Sequence, residues 1–141
     1  MGYFYTVLQF LLLSFILFTP PLLPGSYVAI IVLLIAVLIG LWAIYTFRHT
    51  RINIFPYLPE DAKLVFSGPY KYVRHPMYTA VLLFSLSYFI ARPGWIYALY
   101  FASLLVVLLL KIRFEEKQLK EYFTSYDHIF FKRYRIIPCI Y

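Results

Sequence analysis

The chain has 141 residues, of which 63% are hydrophobic and only 13% charged. Soluble domains carry roughly 25% charged residues, and a fold this small has too little interior to hide so much apolar surface, so a water-soluble protein is excluded and an integral membrane protein expected. Cys139 is the single cysteine, which excludes an internal disulfide and any cysteine-based metal site, and the net charge of +7 flanks apolar segments, a pattern of membrane topology rather than of nucleic-acid binding.

The first apolar run, Tyr3 to Thr19, stops at the breaker "PPLLPG". It has neither a basic leading region nor a small-residue cleavage site, so it reads as a retained helix and not a signal peptide. The second, Tyr27 to Phe47, is free of charge over its 21 residues, enough to span a bilayer. The connection from Arg48 to His75 holds Pro56, Pro59 and Pro69 and is expected to be irregular, with one short turn near Glu60-Asp61-Ala62. Pro76 to Ala91 and Trp95 to Leu110 form a third and fourth run, joined at Arg92-Pro93-Gly94 as a tight helical hairpin. "KIRFEEKQLKEYF" then continues with strong helix formers and no breaker, so the fourth helix is expected to extend beyond the apolar run.

Lys and Arg gather in the Arg48–His75 loop and in the tail after Leu110, whereas the other two connections hold only Arg92. The positive-inside rule therefore predicts four transmembrane helices with both termini cytoplasmic. The expected fold is all-α: a single membrane helical bundle over 1–141, with helices at about 3–19, 27–47, 76–91 and 95–110, a cytoplasmic loop and a C-terminal helical tail. All the chemistry-bearing residues fall on one side, in a region of about 62–138.

"GPYKYVRHPMYTA", residues 68–80, is the first polar constellation. Pro76 suits the first turn of a helix. Arg74 and His75 then stand beside the positive dipole end of that helix, where a carboxylate or phosphate would bind, with Tyr70, Tyr72 and Tyr78 offering aromatic faces. The plain reading of the same residues is a basic, aromatic interfacial anchor. Glu115 and Glu116 are the second constellation. Carboxylates near a helix end oppose its dipole, and Lys111 and Glu115, four apart, share a face. They suit either a salt-bridged helix extension or one Glu turned toward a cationic or hydroxyl-rich ligand.

Taken together, "LVFSGPYKYVRHPMYTA", the downstream "EEKQL", then "YF" and "IIP" resemble the isoprenylcysteine carboxyl methyltransferase family of S-adenosylmethionine-dependent membrane enzymes. The likeness runs from about Leu64 to Pro138 and keeps the signature G-x-Y-x-x-x-R-H-P-x-Y from Gly68 to Tyr78. It implies a cofactor site made by Lys63, Leu64, Val65, Tyr70, His75, Pro76, Met77 and Tyr78, closed from the other side by Glu115 with Glu116 beside it. It also implies that Lys111, where relatives carry Arg, faces the methyl acceptor, with Arg113 a nearby substitute pointing elsewhere on the helix. Phe123-Thr124 departs from the family's Phe-Gly. No metal is expected, and the partners implied are S-adenosylmethionine, membrane lipid and a small lipophilic acceptor bearing a carboxylate, amine or thiol.

Two other classes compete. A membrane sterol-reductase-like NADPH oxidoreductase would need a phosphate cradle, and the loop has no Gly-rich stretch. A non-catalytic scaffold would have no use for both polar constellations. His49 and His128 read as interfacial and Cys139 as inert, since Ile140 and Tyr141 complete no prenylation box.

Overall fold

A computed structural model describes residues 2–18, 25–48, 67–123 and 133–136. Four helices account for most of it: α1 (Gly2–Phe18), α2 (Tyr27–Phe47), α3 (Pro76–Ala91) and α4 (Trp95–Tyr122), with one 3-10 turn at Gly68–Lys71 before α3. No strand occurs among the described residues, only an isolated parallel bridge between Val73 and Tyr134. The helix ends follow local chemistry. Pro76 opens α3 behind His75, whose backbone is non-helical, and Pro93 follows the end of α3 at Arg92. Arg92 donates a 2.9 Å hydrogen bond to the Tyr97 hydroxyl and so closes the hairpin between α3 and α4. α4 keeps its geometry for 28 residues, through the charged segment expected to extend it. The turn expected near Glu60-Asp61-Ala62 lies outside the described residues.

α2 and α4 are long and apolar enough to cross a membrane, while α1 and α3 are shorter apolar helices. Large apolar side chains of α2, among them Val28, Ile31, Leu34, Leu38 and Leu41, point outward. That is ruinous in water and natural in lipid, where a helix also satisfies its own backbone. The inward face of α2 carries Ala29, Ala36 and Ala43 at seven-residue spacing, all buried, and a Cβ at Gly40 would stand 3.5 Å from the Ala80 methyl of α3. Small residues let the two backbones approach, the usual basis of helix packing in membranes.

The pairing of helix ends decides where the polar segments go. Tyr5 meets Phe114 and Phe15 meets Tyr100, with ring centroids 6.5 and 4.1 Å apart, so α1 and α4 run antiparallel. Gly68 packs on Trp42 and Thr46 near the end of α2, and Tyr78 near the start of α3 reaches Glu115 on α4. One end of the bundle therefore gathers the start of α1, the end of α2, the start of α3 and the extension of α4. The core beneath it is Leu82, Leu104, Leu108 and Ile112 together with Ile136, which the tail inserts between α3 and α4.

Gly68 is the tightest joint at this end. Its φ is +59°, and a Cβ there would collide with the Thr46 hydroxyl and stand 3.2 Å from Trp42 Nε1. Thr46 has no easy retreat because its hydroxyl donates a 2.8 Å bond to the Trp42 carbonyl. Gly68→Ala is expected to destabilise the protein by at least about 1–2 kcal/mol, the cost of a left-handed backbone at a residue with a side chain. Thermal unfolding in detergent measures it, and an unchanged midpoint would contradict this packing.

Candidate functional site

The site begins with the period of α4. Leu104, Val107, Leu108, Lys111, Ile112 and Glu116 are all buried, and their spacing of three and four marks one continuous stripe. That stripe faces inward from Leu104 to Glu116. When the sequence turns from apolar to charged after Leu110, the charges on this stripe stay inside and must find partners, since an unpaired buried charge is very costly.

The start of α3 supplies some of them. The Tyr78 hydroxyl donates a 2.5 Å hydrogen bond to Glu115 Oε1. His75 Nδ1 lies 3.7 Å from Glu115 Oε2, and the imidazole stacks on the Tyr78 ring at a centroid distance of 5.6 Å. His75 is 9% exposed, yet its Nε2 has no hydrogen-bond partner; Glu116 Oε1, at 3.6 Å, is beyond hydrogen-bond reach. Tyr70 is buried beside this group. Its burial, and then the charge of Glu115, push the Tyr70 phenol well above its ordinary pKa, so it stays a neutral hydroxyl.

Glu116, one residue on, faces different partners. Arg135 Nε donates to Oε2 at 3.0 Å and Arg74 to Oε1 at 3.3 Å. Arg74 also donates to the Arg133 carbonyl, and Arg133 to the Tyr70 carbonyl. Backbone N–H groups of Arg74 and His75 bond the carbonyls of Tyr134 and Arg135 at 2.8 and 3.0 Å. Thr79 Oγ1 donates to the Ile136 carbonyl at 2.7 Å. The tail at 133–136 is thus sewn onto the 70–79 segment, with Glu116 as its ionic anchor. Burial alone would raise the Glu116 carboxyl, but His75, Arg135 and Arg74 outweigh it and hold the group below the ordinary carboxylate value.

Lys111 is 2% exposed. Its ammonium donates a 3.0 Å bond to Gln9 Oε1 on α1 and sits 5.1 Å from the centre of the Tyr78 ring. Gln9 and its neighbour Thr6 are themselves buried.

Of the residues singled out by sequence, the structure brings together Tyr70, His75, Tyr78, Lys111, Glu115 and Glu116. Pro76 is buried at the start of α3, Met77 half-buried behind it, and Arg113 points outward from α4. Lys63, Leu64 and Val65 lie outside the described residues. Arg74 is turned onto Glu116 and the Arg133 carbonyl, and Glu116 takes hydrogen bonds from Arg74 and Arg135. Sequence reasoning missed Gln9 and Thr6. Their only signal was polarity inside an otherwise apolar helix. It missed Arg133 and Arg135 as tail anchors too, because a lone basic residue in a basic tail carries no positional information.

Residues 25–126 match the family of phospholipid methyltransferases. No curated protein and no solved structure matches the chain.

The Glu116 anchor has a signed pH dependence. Its folded value lies below the ordinary 4.5, so its stabilisation is complete above pH 4.5 and is lost as pH falls through the folded value. Glu116→Gln is expected to cost about 1.5–3 kcal/mol at neutral pH, the worth of hydrogen bonds to a charged group. The gap between the unfolding midpoints of wild type and variant should narrow below pH 4.5. A gap that widens on acidification would contradict the assignment.

Proposed function

The chain belongs to the phospholipid methyltransferase family, membrane methyltransferases related to the isoprenylcysteine carboxyl methyltransferases, and on that premise we propose that it moves a methyl group from S-adenosylmethionine to a small lipophilic acceptor. The observation that carries this reading is the meeting of His75 and Tyr78 with Glu115, residues some forty positions apart in sequence, at one end of the bundle.

The residues suit such a donor. His75 Nε2 is buried and makes no hydrogen bond, with Glu116 Oε1 at 3.6 Å, a state that native interiors rarely leave uncompensated, and it suits a polar group of the donor. Glu115 suits the ammonium or the ribose hydroxyls, and the faces of Tyr70 and Tyr78 suit the sulfonium or adenine. Lys63, Leu64 and Val65 complete the wall by the same resemblance. When bound, S-adenosylmethionine supplies a methyl carbon whose bond to sulfur breaks with its electron pair passing to sulfur, as the acceptor's lone pair makes the new bond.

The protein's part is then alignment and exclusion of water. Tyr70 and Tyr78 are buried or half-buried walls, and Glu115 is fixed by the Tyr78 hydroxyl before any ligand arrives. A carboxylate acceptor needs no base because it is ionised at neutral pH. An amine would release one proton after or during transfer. Lys111 offers the acceptor a positive charge within the bundle. The excess of Lys and Arg in the 48–75 loop and the tail puts this end at the cytoplasmic face, with four crossings and both termini inside. α1 and α3, with 17 and 16 residues, cross only with local bilayer thinning. A water-soluble donor enters from the cytoplasm, and a lipophilic acceptor from between the helices.

Calorimetry in detergent tests this. S-adenosylhomocysteine should bind and NADPH should not. His75→Ala and Glu115→Gln should each weaken that binding about tenfold or more, matching the loss of one charge-assisted hydrogen bond, while the thermal midpoint shows the protein still folded. Wild-type affinity in both variants would sink the site.

A further inference from the structure

Gln9 is a polar residue buried where the resemblance assigns nothing. It lies on α1, which ends at Phe18 and so precedes the matched segment 25–126 altogether. α1 is nonetheless docked on α4 through Tyr5–Phe114 and Phe15–Tyr100, with Leu12 and Leu13 on the core. Thr6, Gln9 and Ile16 are its buried stripe. A helix needing only to pack would place apolar residues there, since a polar side chain inside a membrane bundle is expensive.

The partner of Gln9 explains it. Lys111 is the buried cation at the inner end of the α4 stripe, and Gln9 Oε1 accepts its 3.0 Å bond. From there the groups follow in order: the ammonium over the Tyr78 ring at 5.1 Å, the Tyr78 hydroxyl to Glu115 at 2.5 Å, and Glu115 to His75 at 3.7 Å. An amide oxygen holds an ammonium in place without cancelling its charge. A carboxylate at the same position would hold it equally well and neutralise it. The contrast with Glu116 is direct, because there the chain pairs cations with a carboxylate.

We propose, resting on the methyl-transfer reading above, that Gln9 is a positioning residue for the acceptor: it fixes the Lys111 ammonium to receive the oxyanion of an amphiphile whose methyl-accepting atom then lies toward Tyr78 and Glu115. α1, outside the family-matched segment, thereby sets which acceptor this chain takes.

The full chain is reconstituted in phosphatidylcholine vesicles with methyl-labelled donor, in one arm with added phosphatidylethanolamine and in the other with N-acetyl-S-farnesylcysteine. Gln9→Glu and Gln9→Leu are compared with wild type, alongside S-adenosylhomocysteine affinity and thermal midpoint. Both variants should keep the donor-analogue affinity within about twofold. Gln9→Glu should unfold no earlier than wild type, yet raise the acceptor KM about tenfold or more with a much smaller change in kcat, in whichever arm wild type labels. Gln9→Leu should lower kcat/KM by a similar factor. A structural role alone would be rescued by Gln9→Glu, which keeps α1 tied to α4 by a salt bridge, so a wild-type KM in that variant overturns the proposal. Wild type that binds S-adenosylhomocysteine yet labels neither probe removes the anionic amphiphile and the proposal with it, leaving the donor site standing. Wild type that neither binds the analogue nor transfers methyl overturns the methyl-transfer reading as well.

Discussion

A single helical stripe governs this molecule. α4 turns the same face inward from Leu104 to Glu116, but the residues on that face change from leucine to lysine and glutamate halfway along. In a low-dielectric interior each of those charges requires a partner. Every other polar feature at this end of the bundle can be understood as an answer to that requirement. The answers come from α1, from the start of α3 and from the tail, which is why segments distant in sequence converge there.

The two adjacent glutamates show how finely the stripe is divided. Successive helical residues are about 100° apart around the axis, so Glu115 and Glu116 share only His75 between them and otherwise face different neighbours. Glu115 meets a phenol and an imidazole, partners that can be rearranged by a ligand. Glu116 meets two arginines, and those arginines also clamp the tail and the 70–75 segment by backbone bonds. Of the two carboxylates, Glu116 is the one held by arginines that also anchor the tail. Lys111 is held by the Gln9 amide and lies over the Tyr78 ring.

The membrane setting gives this arrangement its purpose. Outward-facing apolar residues on α2 and the close alanine packing against α3 make a body that belongs in lipid. Its polar contents are pressed to one end, where the rigid Gly68 joint fixes the approach to α3. A lipophilic acceptor and a charged, water-soluble donor have no common solvent. A site at the end of a lipid-embedded bundle, roofed by a docked tail, is one of the few places where both could be presented to each other.

Much of this was legible from residue order alone. Charge-free runs and their breakers placed α1, α2 and α3 and the start of α4 within a residue or two, because lipid leaves the backbone little alternative to a helix, while α4 runs twelve residues past its apolar run to Tyr122. The R-H-P-x-Y and E-E segments, singled out as charges bordering apolar runs, do meet at one end of the bundle. Tertiary structure alone decided which charge meets which. Arg74 went to Glu116 and not to open space, Gln9 reached across 102 positions to Lys111, and Arg135 was recruited from the tail. Helical period can say which residues share a face, but it cannot say what that face will meet, because the meeting depends on how whole helices pack and which ends they bring together.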